Sequence, residues 1–279
     1  MPELPEVETI ARTLQNGTTS QPALPGQIIK DVCLLWERTL ADPNPHIFIS
    51  RLINKTIAQV SRRGKFIVIK LDDVSILIHL RMSGDLRVEN HYGDDHNPLP
   101  LLKHDRLIII FIDNHRLVFN DTRKFGRVWL VDDPSKILSN LGPEPLDKCL
   151  TPDDFHQRLH SHKRQLKPLL MDQRFLAGLG NIYTDEALHL AGLHPLMLSS
   201  HITLEQGKKL FESIRSVLNQ GIQMDGASID WVYRGGSFQN NFHVYQRTGE
   251  PCGKCGSVIE RIIVGQRSTH VCPKCQRLL

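Results

Sequence analysis

Apolar positions change their period twice along this chain. Val7, Ile10, Ala11 and Leu14 recur at i, i+3, i+4 and i+7 between Pro5 and Asn16, and Gly17 follows as a stop, so the first element is predicted as a short helix with one buried face. From Ile47 to about Val131 the pattern is that of strands. Phe66 to Leu71 and Ser75 to Leu80 flank Asp72-Asp73, while Leu107 to Ile112 and Arg116 to Phe119 flank Asp113-Asn114. Each pair outlines a hairpin, and hairpins in series predict an antiparallel sandwich or barrel. Asp132-Asp133-Pro134 ends the strand region, and Leu141-Gly-Pro-Glu-Pro145 can continue neither a helix nor a central strand. A domain boundary is expected there. Helical periods return at Thr151 to His160, Gln165 to Met171, Thr184 to Ala191 and Thr203 to Gln220; the last opens with Thr203 and Gln206 at capping-box spacing and buries Leu210, Ile214, Val217 and Leu218.

Composition adds little to that outline. With 279 residues, 40% of them hydrophobic, the chain can bury an ordinary core in two domains or one large one with an appendage. Its longest apolar run, Leu107 to Ile112, is strand-sized, whereas a membrane helix needs about 20 residues. Glu3, Glu6 and Glu8 stand where a secretory signal would carry positive charge, so a soluble cytoplasmic protein is expected. The net charge of +4 leans weakly toward a polyanionic partner. Clustering says more: Arg62-Arg63-Lys65, Arg123-Lys124-Arg127, Lys163-Arg164-Lys167 and Arg261 with Arg267 are separate basic stretches that one folded face can bring to several phosphates, or that simply solvate the surface.

The cysteines are more specific. Cys252-x-x-Cys255 and Cys272-x-x-Cys275 are sixteen residues apart, the spacing at which two tight turns present four thiolates to one tetrahedral zinc. Gly253, Gly256 and Pro273 suit such turns, and Ile259 to Val264 with His270-Val271 are predicted to form a hairpin between them. Four cysteine ligands leave no open coordination position, so a structural Zn2+ is expected, steadying the hairpin tip at Gly265-Gln266-Arg267; two disulfides or unpaired core thiols are the competing readings of the same residues. Cys33 and Cys149 lack such partners and are expected to be plain buried thiols.

The other reactive candidate is the chain start. Met1 precedes the small residue Pro2, and removal of the methionine would expose a secondary amine. An α-amine of pKa about 8 deprotonates more easily than lysine, and attack on a sugar C1′ would give an iminium. Glu3 beside it, with Glu6 three residues on, could move protons to the ring oxygen or leaving base. A frayed terminus before a normally capped acidic helix start fits the same residues.

Pro2-Glu-Leu-Pro-Glu-Val-Glu8 together with the four-cysteine finger resembles the formamidopyrimidine-DNA glycosylase family. So do, in order, His79-Leu-Arg-Met-Ser-Gly84, Lys103-His-Asp105, Asp121-Thr-Arg-Lys-Phe-Gly126, Leu141-Gly-Pro-Glu-Pro145, Gly178-Leu-Gly-Asn-Ile-Tyr183 and Val244-Tyr-Gln-Arg-Thr-Gly-Glu-Pro-Cys252, nearly the whole chain. The resemblance implies an α+β, multi-domain fold: an N-terminal catalytic β-sandwich with a flanking helix over 1–133, a linker over 134–148, a helix-two-turn-helix DNA-binding domain over 149–241 and a β-hairpin zinc finger over 242–279. It implies excision of oxidised purines, 8-oxoguanine and formamidopyrimidines, from damaged double-stranded DNA by a monomer, followed by β,δ-elimination. Pro2 is then the Schiff-base nucleophile, Glu3 the proton donor, Lys65 a second essential amine, Arg267 the finger arginine of the δ-step and Glu6 a supporting carboxylate. Met82, Arg123 and Phe125 match side chains that fill the space of an everted base, and His104, Arg164 and Asn181 match phosphate contacts, as does Arg123 a DNA contact.

Two departures stand out. The stretch from Asp225 to Asn241, with Gly235-Gly236 and with Trp231, Tyr233 and Arg234, differs from the loop that closes on the base in the best-known members, and Arg106 stands where a second histidine is common. Two other readings remain at this point. An endonuclease VIII type enzyme for oxidised pyrimidines is disfavoured by Leu4 and by the Arg123-Lys-Phe125 wedge; a non-catalytic zinc-ribbon DNA-binding protein explains the cysteines but leaves Pro2, Glu3 and Lys65 without a role.

Overall fold

The structure is a computed structural model that describes residues 1–93, 97–228 and 235–278. It divides into two compact units, the first built from Met1–Pro2 and Glu6–Ser139, the second from Glu3–Pro5, Asn140–Ala227 and Gly235–Leu279.

In the first unit α1 (Leu4–Asn16), from Glu6 onward, precedes β1 (Ile29–Leu34), β2 (Leu40–Asp42), α2 (Pro45–Leu52), β3 (Ile57–Arg63), β4 (Phe66–Leu71), β5 (Ser75–His79), β6 (Gly84–Asn90), β7 (Asp105–Phe111), β8 (His115–Asp121), β9 (Arg127–Val131) and α3 (Ser135–Leu138). The strands form a four-stranded sheet, β1-β7-β8-β6, and a five-stranded sheet, β2-β9-β5-β4-β3, antiparallel except for the β2–β9 pair. Because side chains alternate across a strand, Ile67 and Ile69 of β4 and Ile76 and Ile78 of β5 point one way and meet Leu107, Ile109, Leu117 and Phe119 of the other sheet in one core. The apolar stripe of α1, Val7, Ile10, Ala11 and Leu14, joins that core. Both hairpins expected at Asp72-Asp73 and Asp113-Asn114 form, with Lys70 opposite Ser75 and Ile110 opposite Arg116.

One segment departs from the strand reading. Residues 45–52 are helix α2, because the Asn44 side chain accepts the Ile47 amide and Pro45, with φ preset for a helix, takes the first position. These local signals outweigh the apolar run at Ile47–Ile49.

In the second unit α4 (Pro152–His160), α5 (Leu166–Leu170), α6 (Asn181–Ala191) and α7 (Leu204–Gln223) are followed by the hairpin β10 (Glu260–Val264) and β11 (Arg267–Val271). α4 and α7 each start with a complete capping box, Thr151 with Asp154 and Thr203 with Gln206. They pack through stacked Phe155 and Phe211, centroids 5.0 Å apart. α6 starts at Asn181, three residues before its apolar period becomes visible, with Gly180 as its N-cap and Gly192 in the left-handed region at its end. At the divergent loop, Ser237 N–H donates to Met224 O (2.9 Å) and Phe238 N–H to Gly226 O (2.9 Å), which closes a backbone stem. Gly236 backs onto Asp225 so closely that a Cβ there would sit 2.6 Å from its carbonyl oxygen. Trp231, Tyr233 and Arg234 lie outside the described residues.

The expectation of two plain buried thiols is corrected: Cys149 is exposed in the turn where its amide bonds Asp147 Oδ1 (2.9 Å), and Cys33 is only half-buried on the outer face of β1 against Ile108, Ile110 and Val118. A tight polar turn leaves a small side chain no core to enter.

Thr203 Oγ1 accepts the Gln206 amide at 3.2 Å while Gln206 Oε1 accepts the Thr203 amide at 3.0 Å. Thr203→Ala, removing one of these and loosening the other, is expected to destabilise the protein by about 1 kcal/mol, read as a lower urea midpoint at unchanged m-value.

Candidate active site and metal centre

The candidate residues fall into two sets. Pro2, Glu6, Lys65, Met82, His104, Arg123 and Phe125 belong to the first unit; Glu3, Arg164, Asn181, Arg267 and the four cysteines belong to the second.

Glu3 is buried, and its position follows from two glycines. Leu4 N–H donates to Gly178 O at 3.0 Å, so residues 3–5 lie along the 178–181 turn. Gly178 has φ +98°, open to glycine without strain, and a Cβ on it would lie 2.6 Å from Leu4 Cδ1. A Cβ on Gly180 would strike the Glu3 carboxyl group, with Oε1 at 2.5 Å. The vacant volume lets the carboxylate reach the unpaired amides of the first turn of α6. Ile182 N–H donates to Oε1 (2.9 Å) and Tyr183 N–H to Oε2 (3.4 Å), so the helix start holds both oxygens. The Gly-Leu-Gly run at the start of the Gly178–Tyr183 motif is the clearance for this carboxylate.

Lys65 sits in the β3–β4 turn and is 4% exposed; Pro2 and Glu6 are buried as well. Next to Lys65 in the chain, Phe66 pairs across the strands with His79, ring edge to face at 4.8 Å. His79 Nδ1 accepts the Arg81 amide at 3.0 Å. Burial, reinforced by the Arg81 and Lys65 charges, pushes the His79 pKa down to about 3, so the imidazole is neutral at physiological pH.

Met82, Arg123 and Phe125 come together at one corner of the sandwich. Asp121, buried at the end of β8, accepts from Ser83 Oγ, from Arg123 N–H (3.1 Å) and from Gly126 N–H (2.7 Å), and Ser83 Oγ also accepts the Arg123 amide (3.0 Å). The Met82 turn and the 122–126 turn are thereby fastened to one carboxylate. Their tips stay outside: Met82 is 37% and Phe125 49% exposed, so neither belongs to the core, and the Arg123 guanidinium lies 5.0 Å over the Phe125 ring. His104 stands at the same corner, where its carbonyl accepts the Asp121 amide (2.9 Å). Arg106 is buried; it donates to Asp121 O (2.8 Å) and places Nη2 3.2 Å from His104 Nδ1. Guanidinium can only donate, so His104 Nδ1 accepts and the ring proton resides on Nε2. Where a second histidine is common, this arginine fixes the tautomer of the first.

One basic cluster is corrected. Lys163-Arg164-Lys167 reads in the sequence as a surface stretch for phosphates or solvent, but the Lys167 side chain is 1% exposed and its Nζ donates to Asp185 Oδ1 at 2.6 Å. Burial pushes this ammonium down, opposed by the Asp185 charge. Its partner lies eighteen residues away, out of reach of any local pattern. Asp185 Oδ2 also accepts His270 N–H (3.0 Å) and approaches His270 Nδ1 (3.1 Å). Lys167 Nζ and Asn181 Nδ2 both donate to Ser268 O at 3.1 Å, which fixes the backbone next to Arg267. Arg267 and Arg164 are exposed on one cleft of about 300 Å³ bounded by Pro168, Met171, Asp172 and Gly265, with Arg164 paired to Asp172 at 2.7 Å.

The four cysteines do meet. One sulfur from each of Cys252, Cys255, Cys272 and Cys275 lies within 4.8 Å of the others, with Cys252 to Cys275 at 3.9 Å and Cys255 to Cys272 at 3.4 Å. Tetrahedral thiolates about 2.3 Å from zinc stand about 3.8 Å apart, so the donor set fits one structural Zn2+ held by all four. Val244 and Ile259 pack against it.

The sequence matches three family profiles: the formamidopyrimidine-DNA glycosylase N-terminal domain over residues 1–128, the H2TH domain of the same proteins over 141–232, and a zinc finger found in FPG and IleRS over 249–278. Formamidopyrimidine-DNA glycosylases of Protochlamydia amoebophila and Ligilactobacillus salivarius are 41% and 40% identical to it, over 99% of this chain and 100% and 99% of theirs. Among solved structures, MutM in complex with DNA containing carbocyclic 8-oxo-G superposes with a TM-score of 0.89 at 34% identity, over 99% of this chain and 100% of that one. Lactococcus lactis Fpg (MutM) with DNA containing N7-benzyl-Fapy-dG gives 0.89 at 35% identity, with the same coverage.

Two outcomes are expected from this geometry. Gly180→Ala displaces the Glu3 carboxylate, so hydrogen exchange at the Ile182 amide should quicken by at least about tenfold, while a wild-type rate there would mean that the seat survives the added methyl. The folded-state pKa of His79 is depressed, so the unfolded chain binds more protons between about pH 6.5 and about pH 3; the stability linked to this ring is complete above about pH 6.5 and is lost as the pH falls toward about 3. His79→Gln should flatten the fall of the urea midpoint over that interval.

Proposed function

The chain belongs to the formamidopyrimidine-DNA glycosylase family, and from that membership we infer the roles of its residues in a base excision repair reaction. The protein is a zinc-containing DNA glycosylase and AP lyase. It acts on oxidised purines in duplex DNA, 8-oxoguanine and ring-opened formamidopyrimidines, with Pro2 as the nucleophile once Met1 has been removed. The observation that carries this reading is the seat of Glu3: a carboxylate adjacent in sequence to the reactive amine, with both oxygens held by a helix start, is oriented as few terminal residues are.

In this scheme the unprotonated Pro2 nitrogen adds to C1′ of the everted nucleotide and the glycosidic bond breaks. Glu3 supplies the proton that the sugar oxygen or the departing base requires, and Glu6 supports it. Breaking of the C1′–O4′ bond, with O4′ protonated to a 4′-hydroxyl, opens the sugar ring and leaves an iminium between C1′ and the proline nitrogen, which acidifies the C2′ hydrogen. Its removal expels the 3′-phosphate, and a second elimination, with Arg267 moving the proton, expels the 5′-phosphate. Lys65, 4% exposed in the turn that leads into β4, serves in this scheme as the ammonium for the phosphate and sugar beside the lesion. Met82, Arg123 and Phe125 fill the vacated stack; their fastened bases and exposed tips suit side chains that must enter a duplex without unfolding their own turn. His104, with Nε2–H free to donate toward a phosphate, contacts the backbone along with Asn181 and Arg164. These assignments presuppose a catalytic sandwich over 1–133, a DNA-binding helical domain over 149–241 and a finger over 242–279. The working species is a cytoplasmic monomer; no helix among the described residues is long and apolar enough to cross a membrane.

Borohydride trapping on a duplex with one 8-oxoguanine tests the scheme. Processed protein should become covalently joined to DNA, and protein that keeps Met1 or is acetylated on Pro2 should not. Equal strand cleavage by the blocked and unblocked forms would overturn the nucleophile assignment, and a matched thymine-glycol duplex separates purine from pyrimidine preference.

A further inference from the structure

The C-terminal turn of α6 meets the metal knuckle through groups outside the four-cysteine motif. Lys254 Nζ donates to His189 O and Leu190 O at 3.3 Å each, adding a second donor to His189 O, which also accepts the Gly192 amide (3.1 Å), at the end of the helix. Gln276 Nε2 donates to Leu193 O (2.9 Å), while its Oε1 accepts the Cys272 amide (3.0 Å). The knuckle therefore packs as a cap on the helix. Within this contact His189 is 1% exposed, and its Nε2 lies 3.5 Å from Cys252 Sγ. Its Nδ1 is buried with no hydrogen-bond partner among the described residues.

Two constraints settle what the ring does there. A cysteine bound to zinc is a thiolate, which only accepts hydrogen bonds. A neutral imidazole carries one N–H, on one nitrogen or the other. If the proton were on Nδ1, a buried donor would have no acceptor and the Nε2 lone pair would face a negative sulfur, two unfavourable contacts at once. With the proton on Nε2, the sulfur receives a donor. Such donors matter because four thiolates on one dication leave a net charge of −2, and Cys252 and Cys272 are both buried. Cys272 Sγ has the Cys275 amide as a donor (3.4 Å).

We propose that His189 donates its Nε2–H to the Cys252 thiolate and thereby ties the zinc to the last turn of α6. It is a positioning residue: it touches a ligand of the metal, not the metal and not DNA. The opposite end of the same helix seats Glu3, so this bond makes the zinc a brace for the helix that orients the reactive chain start.

The test uses the whole protein with NMR-active cadmium in place of zinc. One histidine ring N–H is expected to couple to the cadmium through the hydrogen bond, and the signal should vanish in His189→Phe. Transfer of zinc to a chromophoric chelator should run about tenfold faster in His189→Phe than in wild type, with His189→Gln between the two. In the cobalt-substituted protein the sulfur-to-cobalt charge-transfer band should move to longer wavelength in the Phe variant, because the sulfur has lost a donor. A wild-type spectrum showing the His189 proton on Nδ1 and no coupling to cadmium overturns the proposal. So does a folded Phe variant with wild-type zinc transfer and cobalt spectrum. Should His189→Phe fail to fold, the cadmium spectrum of the unmutated protein decides the matter alone.

Discussion

Burying a carboxylate requires that its oxygens be paired, and along the eleven residues of α6 this requirement is met three times, each time by a different part of the second unit. Glu3 takes the amides at the helix start. Asp185 takes Lys167 and the backbone of β11. Glu186 takes the amides of His243, Val244 and Tyr245 as well as His243 Nδ1, at 2.8–3.0 Å. Burial alone would raise the Glu186 pKa; the donors outweigh it and hold the carboxyl below its usual range. Glu3, the strand beside Arg267 and the segment entering the finger are all positioned against one helix of about 16 Å. A buried carboxylate deprived of its partner costs several kcal/mol, so these three attachments resist slipping by a residue in a way that apolar packing does not.

The first unit solves a related problem differently. Its reactive tips are exposed, and precision comes from Asp121 gathering the amides of its own turn together with Ser83 from another. Arg106 extends the same arrangement to His104. An ordered base with a free apolar tip keeps the entropy cost of entering a partner low, because little backbone remains to be fixed on contact.

Much of this was legible in the sequence because it is local. The α1 stripe, the two hairpins, the Thr203 capping box and the paired Cys-x-x-Cys motifs announce themselves within a few residues, and all are found. What was missed depends on partners far along the chain. Lys167 looked like part of a basic surface because Asp185 is not its neighbour in sequence. Gly180 is the N-cap of α6, but its second role, clearance for the Glu3 carboxyl, is hidden because Glu3 is far away in the chain. His189 was one histidine of fourteen until the fold set it against Cys252. The helix at 45–52 is the exception, since Asn44-Pro45 was a readable start signal overshadowed by an apolar run.

The stem at Met224–Gly226 and Ser237–Phe238 closes through main-chain atoms and a glycine pressed against backbone. Bonds between main-chain atoms survive exchange of the side chains at their own positions, so this closure is insensitive to what Met224, Ser237 or Phe238 carry and sensitive at Gly236, where any side chain would collide with the Gly226 carbonyl.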